Sequence, residues 1–321
     1  MSKIRLFIDG HAGTTGLRIR DWLVDREDLE LVTLTDEKRK DPEARREMIL
    51  DSDLAVLCLP DAAAQEAARW AEESTSSVRL LDSSTAHRVA SDWAYGLPEL
   101  SPDQRDLIRS AKRVANPGCY PTAFLLSVRP LVDADLLDPQ AALSIHALSG
   151  FSGGGRPLIE KWEDPANGLA NLPFEAPYAL DRVHKHVPEM QAYSGLARPP
   201  FFMPAVGPFE CGMRVQIPLH AGLLKPKTTA QRMFESLSER YQDEPCIKVH
   251  ASPSPDSSHE RSFDPQKCNN TNRVEIHVVE NPAGHVLLVT ILDNLGKGAA
   301  GAAIQNLNLM LGCDEMLGLG V

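Results

Sequence analysis

The sequence lacks any apolar segment long enough to cross a membrane. Its longest apolar runs are LAVLCL at 54–59 and HVLLVTIL at 285–292, whereas a membrane-spanning helix needs about 20 residues. The opening MSKIRLFIDG also lacks the apolar stretch of a secretory signal. We therefore expect a cytoplasmic protein without membrane partners.

Paired cysteines and an excess of positive charge are also missing. The six cysteines include no CxxC spacing, and a chain of 321 residues can bury a core that needs no disulfides, so we expect free thiols in a reducing compartment. Lys and Arg number 33 against 44 Asp and Glu, a net charge of −11. This balance argues against nucleic acid as a partner but not against small anionic substrates, which a few local cations can hold.

The first 117 residues alternate between strand-like and helix-like segments. Buried parallel strands are predicted by the apolar runs at 3–9, 29–35, 54–60 and 78–82. Among the intervening helices, SPDQRDLIRSA (101–111) has Ser101 as its predicted N-cap and Pro102 at the first helical position. This alternation is typical of a doubly wound α/β domain.

After residue 117 the pattern changes to longer strands with fewer helices. Alternating strands are predicted at 141–149, 212–220, 273–280 and 285–293. They indicate a mostly antiparallel sheet and therefore a second domain of α+β type. The Pro- and Ser-rich segment 252–266 predicts a loop, and 297–312 predicts a final helix with Gly312 as its C-cap.

Three glycines in GHAGTTG follow the first predicted strand. Gly10, Gly13 and Gly16 have the spacing G-x-x-G-x-x-G instead of the commoner G-x-G-x-x-G. Such a turn lets the backbone approach a pyrophosphate, whose charge the helix N-terminus offsets. Thr14 and Thr15 either add phosphate contacts or only cap the helix. We favour a dinucleotide site over a plain turn because the glycines follow the first strand of a βαβ unit.

The DEKRK stretch after the second strand bears on the choice of cofactor. Asp36 could bond a ribose 2′-hydroxyl, as in NAD sites, whereas Lys38, Arg39 and Lys40 could hold a 2′-phosphate, as in NADP sites. A solvated charged loop is the plain alternative. The three cations slightly favour NADP.

One cysteine stands out in VANPGCYPTAFLL (114–126). Gly118 places no side chain directly before Cys119, and Pro121 suits the first turn of a helix. A helix N-terminus stabilises a thiolate, which attacks acyl carbons. Most free cysteines are instead buried and structural, and we interpret the rest so: Cys58, Cys211, Cys246, Cys268 and Cys313.

Thioester chemistry at a nicotinamide site needs an acid–base group. His184 and His186 stand out in VHKHVPEM (183–190), just before a helix opened by Pro188 and Glu189. Capping of that helix is the structural alternative. No metal site is predicted, because no third ligand accompanies the two histidines.

Two further loops are candidate anion sites. SGFSGGGR (149–156) could wrap the nicotinamide end of a cofactor or hold an anionic substrate, although a flexible turn is the alternative. DSSTAHR (82–88) follows the fourth strand, where open α/β sheets bind ligands. Its Arg88 could clamp a carboxylate or phosphate.

Taken together, the motifs resemble one family over essentially the whole chain: the N-acetyl-gamma-glutamyl-phosphate reductases, in their shorter second type. The motifs are GHAGTTG, ANPGCYPT, SGFSGGGR, HKHVPE and DNLGKGAAGAAIQNLN. The resemblance implies a semialdehyde dehydrogenase-like fold, with a Rossmann-like NADP-binding domain at 1–117 plus 295–321. It implies a catalytic and oligomerisation domain at 118–294, and a homo-oligomer, either a dimer or a tetramer.

The resemblance also implies a mechanism. Cys119 attacks N-acetyl-L-glutamyl 5-phosphate, phosphate leaves, and NADPH reduces the thioester to N-acetyl-L-glutamate 5-semialdehyde. His186 is the expected acid–base residue and His184 a substrate contact, in an order that could be reversed. Further substrate contacts are expected from Asn116, Glu189, Arg88 and Arg156.

Cofactor contacts are expected in both halves of the chain. Besides the glycine turn with Thr14 and Thr15, they are Lys38, Arg39, Ser149, Gly150, Gly153, Asn294 and Lys297. Two alternative functions stay open at this point. One is another acyl-phosphate reductase, such as an aspartate-semialdehyde dehydrogenase, and the other is a non-catalytic dinucleotide-binding scaffold.

Overall fold

A computed structural model describes residues 3–251 and 263–320. Most of the loop predicted at 252–266 lies outside the described residues. The chain divides into two compact units, one formed by Met1–Gly118 with Ala299–Leu319 and the other by Cys119–Gly298 with Gly320–Val321. Among the described residues, no helix has the length and apolar character needed to cross a membrane.

The first unit is built on a six-stranded sheet in which every neighbouring pair is parallel. Its strands are β1 (Ile4–Asp9), β2 (Leu29–Val32), β3 (Leu54–Leu57), β4 (Arg79–Asp82), β5 (Ala94–Tyr95) and β6 (Arg113–Ala115). Its helices are α1 (Thr14–Leu23), α2 (Pro42–Leu50), α3 (Asp61–Glu72), α4 (Gln104–Ser110) and the last helix, α9 (Gly301–Leu311). The doubly wound α/β class predicted for this part of the chain is confirmed.

The strand order β2-β1-β3-β4-β6-β5 places the glycine turn at a reversal of the sheet. From β1 the chain first adds β2 on one side and then returns to add β3 on the other. The carboxyl ends of β1 and β3 therefore flank the crevice where open α/β sheets bind ligands. Ile8 of β1, Ile19 of α1 and Ile304 of α9 share one buried cluster, which fixes α1 behind the turn.

Two sequence expectations for this unit were wrong at element ends. The fourth helix begins at Gln104, not at Pro102, and its N-cap is Asp103, whose side chain makes no capping bond. Residues 101–103 instead form a turn in which the Gln104 N–H bonds the Ser101 carbonyl. The second strand ends at Val32 instead of Thr35, because its register with β1 stops at the Phe7–Val32 pair.

The second unit holds a seven-stranded sheet in the order β11-β12-β13-β10-β7-β9-β8. Its strands are β7 (Ser144–Ser149), β8 (Ala176–Pro177), β9 (Phe201–Val206), β10 (Met213–Leu219), β11 (Ile247–His250), β12 (Val274–Glu280) and β13 (Val286–Leu292). Only β11/β12 and β7/β9 pair in parallel, so the expected mostly antiparallel sheet is confirmed for the described residues. Its helices are α5 (Cys119–Asp133), α6 (Arg156–Glu163), α7 (Val187–Ser194) and α8 (Ala230–Arg240).

Helix α5 is the central helix of the second unit and begins at Cys119. Phe124, Leu125 and Val128 are fully buried in it. The Tyr241 hydroxyl donates to the Leu126 carbonyl at 2.7 Å, which ties α5 to the end of α8. A buried, anchored helix holds its first residue in a fixed place, and here that residue carries the thiol.

Candidate active site

Cys119 lies at the N-terminus of α5, as the position of Pro121 predicts. The first N–H groups of a helix have no intrahelical acceptor, and the first turn of α5 contains no acidic residue. Gly298, in the π-helical turn Gly296–Ala300, lies beside the cysteine. A Cβ on Gly298 would lie 2.8 Å from the Cys119 Cβ, so only glycine fits beside the thiol.

The neighbouring Tyr120 is buried at the centre of an aromatic and histidine cluster. Its ring centroid lies 5.9 Å from that of His184, 5.7 Å from His186 and 4.9 Å from Phe202. The two imidazoles are 4.8 Å apart. The structure therefore brings the two histidines of HKHVPE to the residue that follows Cys119, although they are distant in sequence.

Hydrogen bonds fix the protonation of His184. The His186 backbone N–H donates to His184 Nδ1 at 3.2 Å, so the neutral ring carries its proton on Nε2. That Nε2 lies 3.4 Å from the Tyr178 hydroxyl, which in turn donates to Tyr120 at 3.3 Å. Burial, assisted by the charges of Lys185 and Arg182, lowers the pKa of His184 to about 4, so this ring is neutral at pH 7.

Tyr120 and Tyr178 remain protonated under the same conditions. Burial raises the pKa of Tyr178 to about 12 and that of Tyr120 well above its ordinary value. A negative charge on Cys119 contributes to both shifts, which places each phenol within electrostatic reach of the thiol sulfur. Ser149 also hydrogen-bonds Tyr120. The cluster therefore offers neutral hydroxyl donors near Cys119.

His186 occupies the N-cap position of α7 and is buried. Pro188 lies in the first turn of this helix, as predicted, and Glu189 follows it with only 2% of its surface exposed. Burial, with a smaller contribution from the charge of Glu189, raises the pKa of Tyr193 to about 12. The HKHVPE motif thus places one imidazole and one carboxylate on the same helix end.

The glycine-rich loop after β7 is fixed by Asn294. The Asn294 side chain accepts from the Gly212 N–H at 2.7 Å and donates to Ser152 Oγ at 2.9 Å. A Cβ on Gly150 would lie 2.2 Å from the Glu210 carbonyl oxygen, and one on Gly153 would touch Ser149 and Asn294. Ser149, Gly150, Gly153 and Asn294 therefore come together in the second unit.

Two other predicted contacts differ in exposure: Arg156, the last residue of this loop, and Lys297, which follows β13. Lys297 is fully buried in the π-helical turn beside Gly298. Arg156 is the first residue of α6, and its exposed guanidinium bonds Glu160 at 2.8 Å. Their roles toward cofactor and substrate remain predictions.

In the first unit, the glycine turn is too tight for a side chain at two of its three glycines. Gly10 has φ +88°, and a Cβ there would lie 2.2 Å from the Cys58 carbonyl oxygen. A Cβ on Gly16 would lie 2.5 Å from the Gly10 carbonyl oxygen. Gly13 is the N-cap of α1 without a side-chain cap, and Thr14 and Thr15 open the helix. Gly10 and Gly16 are therefore required for the tight turn, and an anion contact at the helix start remains a prediction.

The predicted 2′-phosphate contacts lie in an exposed turn after β2. Lys38 and Arg39 both bond the Thr35 carbonyl through their backbone N–H groups. The Arg39 guanidinium lies 3.3 Å from the Asp36 carboxylate, and both side chains face solvent. The cations lie in the turn after β2, the strand that follows α1, where a ribose contact would be made, and this role remains a prediction.

Asn116 and Arg88 lie in the first unit and have structural partners there. Arg88 is buried, and it donates to the Asn116 carbonyl at 2.9 Å and the Ser83 carbonyl at 3.0 Å. The Asn116 amide donates to the Ala299 carbonyl at 3.0 Å and accepts from Asn306 at 3.0 Å. These bonds brace the chain just before Cys119. Direct substrate contact by either residue remains a prediction.

Tyr120, Tyr178 and Phe202 are site residues that the sequence analysis missed. Tyr120 stands inside ANPGCYPT, so its adjacency to the thiol was visible. Tyr178 and Phe202 had no such signal, since only the fold brings β8, β9 and the loop before α7 to the start of α5.

Two family models match the chain. The semialdehyde dehydrogenase NAD-binding domain matches residues 6–108, and the semialdehyde dehydrogenase dimerisation domain matches residues 119–294. Among solved structures, aspartate semialdehyde dehydrogenase from Francisella tularensis has a TM-score of 0.74 at 15% identity over 96% of this chain and 100% of that chain. Aspartate semialdehyde dehydrogenase II from Vibrio cholerae has a TM-score of 0.72 at 17% identity over 97% and 99%. At such identities these structures support the fold alone.

Closer relatives carry a more specific name. An N-acetyl-gamma-glutamyl-phosphate reductase from Trichormus variabilis is 46% identical over 99% of this chain and 100% of its own length. One from Burkholderia cenocepacia is 45% identical over 98% of this chain and 99% of its own. The resemblance seen in the sequence motifs is confirmed: the chain belongs to the semialdehyde dehydrogenase family, and within it to the N-acetyl-gamma-glutamyl-phosphate reductases.

Proposed function

We propose that this chain reduces N-acetyl-L-glutamyl 5-phosphate to N-acetyl-L-glutamate 5-semialdehyde and phosphate with NADPH, as a step of arginine biosynthesis. The observation that carries the proposal is Cys119 at the head of a buried helix beside the histidine and tyrosine cluster. The relatives named as this reductase match 98% and 99% of the chain, and their name supplies the substrate.

The nucleophile is the Cys119 thiolate. It attacks the acyl carbon and forms a thioester as the C–O bond to phosphate breaks, so that phosphate carries away the bonding electrons. The N–H groups at the start of α5 and the neutral tyrosine hydroxyls stabilise negative charge developing on the acyl oxygen. When bound, NADPH supplies the hydride that reduces the thioester to the aldehyde level.

His186 is the acid–base residue of this proposal and His184 a substrate contact. At neutral pH His184 is uncharged and its Nδ1 accepts from the backbone, so it serves as a hydrogen-bond donor through Nε2. A group with so low a pKa is poorly matched to proton transfer near pH 7. This mismatch of His184 supports the assignment of proton transfer to its neighbour His186.

Cofactor contacts are proposed within each domain. The NADP-binding domain is 1–117 plus 295–321, where the glycine turn with Thr14 and Thr15 holds the pyrophosphate and Lys38 and Arg39 the 2′-phosphate. The nicotinamide end is held by Ser149, Gly150, Gly153, Asn294 and Lys297. The catalytic domain is 118–294, in which Glu189 and Arg156 contact the substrate. Arg88 and Asn116 of the first domain are further proposed substrate contacts.

The chain acts on a small molecule and associates with itself, in accord with its dimerisation-domain match. We assign it to the cytoplasm as a homo-oligomer, either a dimer or a tetramer, without nucleic acid or membrane partners. Size-exclusion chromatography with light scattering measures the number of chains.

The test is the reverse reaction, NADP reduction by N-acetylglutamate semialdehyde in the presence of phosphate. We expect phosphate-dependent turnover and a much lower specificity constant for aspartate semialdehyde, with Cys119→Ser as the inactive control. Equal use of the aspartate compound would favour the other acyl-phosphate reductase class. Absence of turnover with both aldehydes, by protein that still binds NADPH, would favour the non-catalytic scaffold.

A further inference from the structure

A second group of histidines lies at one edge of the second unit's sheet, on the neighbouring strands β11 and β12. His250 ends β11, and its register partner on the parallel strand β12 is His277. Glu275 lies two residues before His277, so strand alternation places its side chain on the same face. Among the described residues, these three form the one group with metal-ligand atoms all within 4.8 Å of one another.

The separations of the ligand atoms fit a metal ion. The Glu275 Oε2 atom lies 3.5 Å from His250 Nε2 and 3.4 Å from His277 Nε2. Two ligands bound tetrahedrally to one zinc ion at their usual bond lengths are about 3.4 Å apart. Both Nε2 atoms are buried and form no hydrogen bond of regular geometry with the described part of the chain.

In the structure, the carboxylate of this group is paired with the ammonium of Lys267. Its Nζ lies 2.6 Å from Glu275 Oε2, while Arg273 approaches the other carboxylate oxygen at 3.6 Å. Glu275 and His277 are buried, but 39% of the Lys267 side chain is exposed. A flexible ammonium with an open path to solvent can leave, whereas the carboxylate and the imidazoles are held by the sheet.

We propose that His250, Glu275 and His277 bind one divalent transition metal ion, with zinc preferred, in place of the Lys267 ammonium. Two imidazoles and one carboxylate suit zinc and leave a coordination position for water. The imidazole rings are now stacked at 4.5 Å and 9°, so binding requires them to rotate apart. Rotation about the bond joining Cβ to the ring is soft, and His250 is only half-buried on an edge strand.

The sequence could not indicate this site. Glu275 and His277 alternate in RVEIHVVE, but their partner lies on a separate strand. The parallel pairing of β11 with β12 brings His250 to them. A bound ion would join the edge strand to its neighbour through side chains, so zinc should stabilise the second unit.

The test measures zinc binding by the full chain after removal of metals with a chelator, using competition with a chromogenic zinc indicator. We expect one ion per chain, with affinity reduced at least about 100-fold in His277→Gln and in His250→Gln, since even outer ligand partners contribute 10–100-fold. His285→Gln is the matched control, because His220 and His285 form another close ring pair at 4.3 Å. It should leave the affinity unchanged.

Two further variants separate this site from the thiol and its histidines. Lys267→Met should bind zinc more tightly, because it removes the competing cation. Cys119→Ser with His184→Asn should retain the site, and zinc should raise the melting temperature of that double variant but not of His250→Gln. The proposal is overturned if wild type binds no zinc, if His250→Gln binds it equally, or if the double variant abolishes binding. Should His277→Gln fail to fold, the edge-strand variant His250→Gln decides.

Discussion

At the scale of single residues, Cys119→Ser should abolish turnover while NADPH binding persists. A serine hydroxyl does not ionise near neutral pH, whereas a thiol at a helix N-terminus forms the thiolate that attacks the acyl carbon. Initial rates and cofactor fluorescence titration measure the two properties. A near-normal rate in the variant would rule out the thioester route.

Alkylation provides an independent measure of the same thiol. Cys246 and Cys268 are buried, and burial raises the pKa of Cys58 to about 12, so these three should react slowly. Timed iodoacetamide labelling at pH 7, followed by peptide mass spectrometry, should find Cys119 modified first. Even labelling of all six cysteines would contradict an activated thiol.

The two histidines should differ in which kinetic constant they control. His186→Asn should lower kcat by about 10²–10⁴-fold, the usual contribution of an acid–base group, whereas His184→Asn should mainly raise KM. His146→Asn is a suitable control, since that strand histidine bonds Glu175 at 3.0 Å. The opposite pattern would exchange the roles of His184 and His186.

His184 should also make stability depend on pH. The pKa of His184 is about 4 in the folded chain, against an ordinary value of 6.5 that applies to the unfolded chain. Below pH 6.5 the unfolded chain therefore binds a proton that the folded chain does not. Stability should therefore fall as pH decreases from 6.5 towards 4, with no effect of this group above 6.5. His184→Asn should show a shallower loss in urea unfolding measured across that range. Parallel curves for both proteins would show that the ring is not buried in its neutral form.

The residues of this site differ in how far the sequence could reveal them. The sequence alone pointed to Cys119, because its neighbours Gly118 and Pro121 are residue types typical of the start of a helix. It did not point to Tyr178 or Phe202, because their contacts with His184 are made by chain segments whose meeting no local pattern encodes. For the same reason the partners of Arg88 and Asn116 appeared only in the fold.

At the scale of elements, substitutions at two glycines of the turn after β1 should affect different properties, one the stability of the fold and the other the affinity for the cofactor. Gly10→Ala introduces a Cβ into the Cys58 carbonyl at a φ of +88°, so it should destabilise the first unit by at least about 1–2 kcal/mol. Gly13→Ala is the matched control for folding, because its Cβ would lie 3.4 Å from the nearest atom and its φ is −79°. Its stability should stay near wild type while NADPH affinity falls, since the methyl group enters the phosphate cradle. Unfolding curves and cofactor titrations measure both, and equal stability of the two variants would contradict this account.

Element types were easier to predict than their ends. The strand–helix alternation of the first unit follows from apolar runs that parallel burial requires. By contrast, β9 was missed because Pro204 interrupts FFMPAV and prolines precede it, which is a pattern that disfavours strands. The predicted start of helix α4 was too early because Ser101 and Pro102 resemble a capped helix start. In the structure the helix begins at Gln104, whose side-chain amide donates to the Tyr95 carbonyl.

At the scale of the whole molecule, the return of the last helix to the first unit came only from the family resemblance. The Gly/Ala-rich face of 298–303, to which the resemblance assigns close packing, does not by itself indicate the packing partner. In the fold, Asn306 supplies that information through bonds to the Gly96 carbonyl at 2.8 Å and to Asn116 at 3.0 Å. A buried amide network of this kind specifies a partner, and Asn116 and Asn306 lie 190 residues apart in the chain.

The preference for NADPH over NADH should depend on a local group of cations in a chain that is negatively charged as a whole. The protein carries a net charge of −11, so a 2′-phosphate is attracted only where cations gather, and Lys38, Arg39 and Lys40 form such a group in the exposed turn after β2. Replacing all three by glutamine should weaken NADPH at least about tenfold and spare NADH, because one charge-assisted hydrogen bond contributes about 1.5–3 kcal/mol. Arg109→Gln, an exposed arginine of α4 paired with Asp106, is the control and should change neither affinity. Titrations at low and high salt should show the NADPH preference of wild type declining with ionic strength, as expected for exposed charges. An unchanged preference in the triple variant would move the 2′-phosphate contact to other groups.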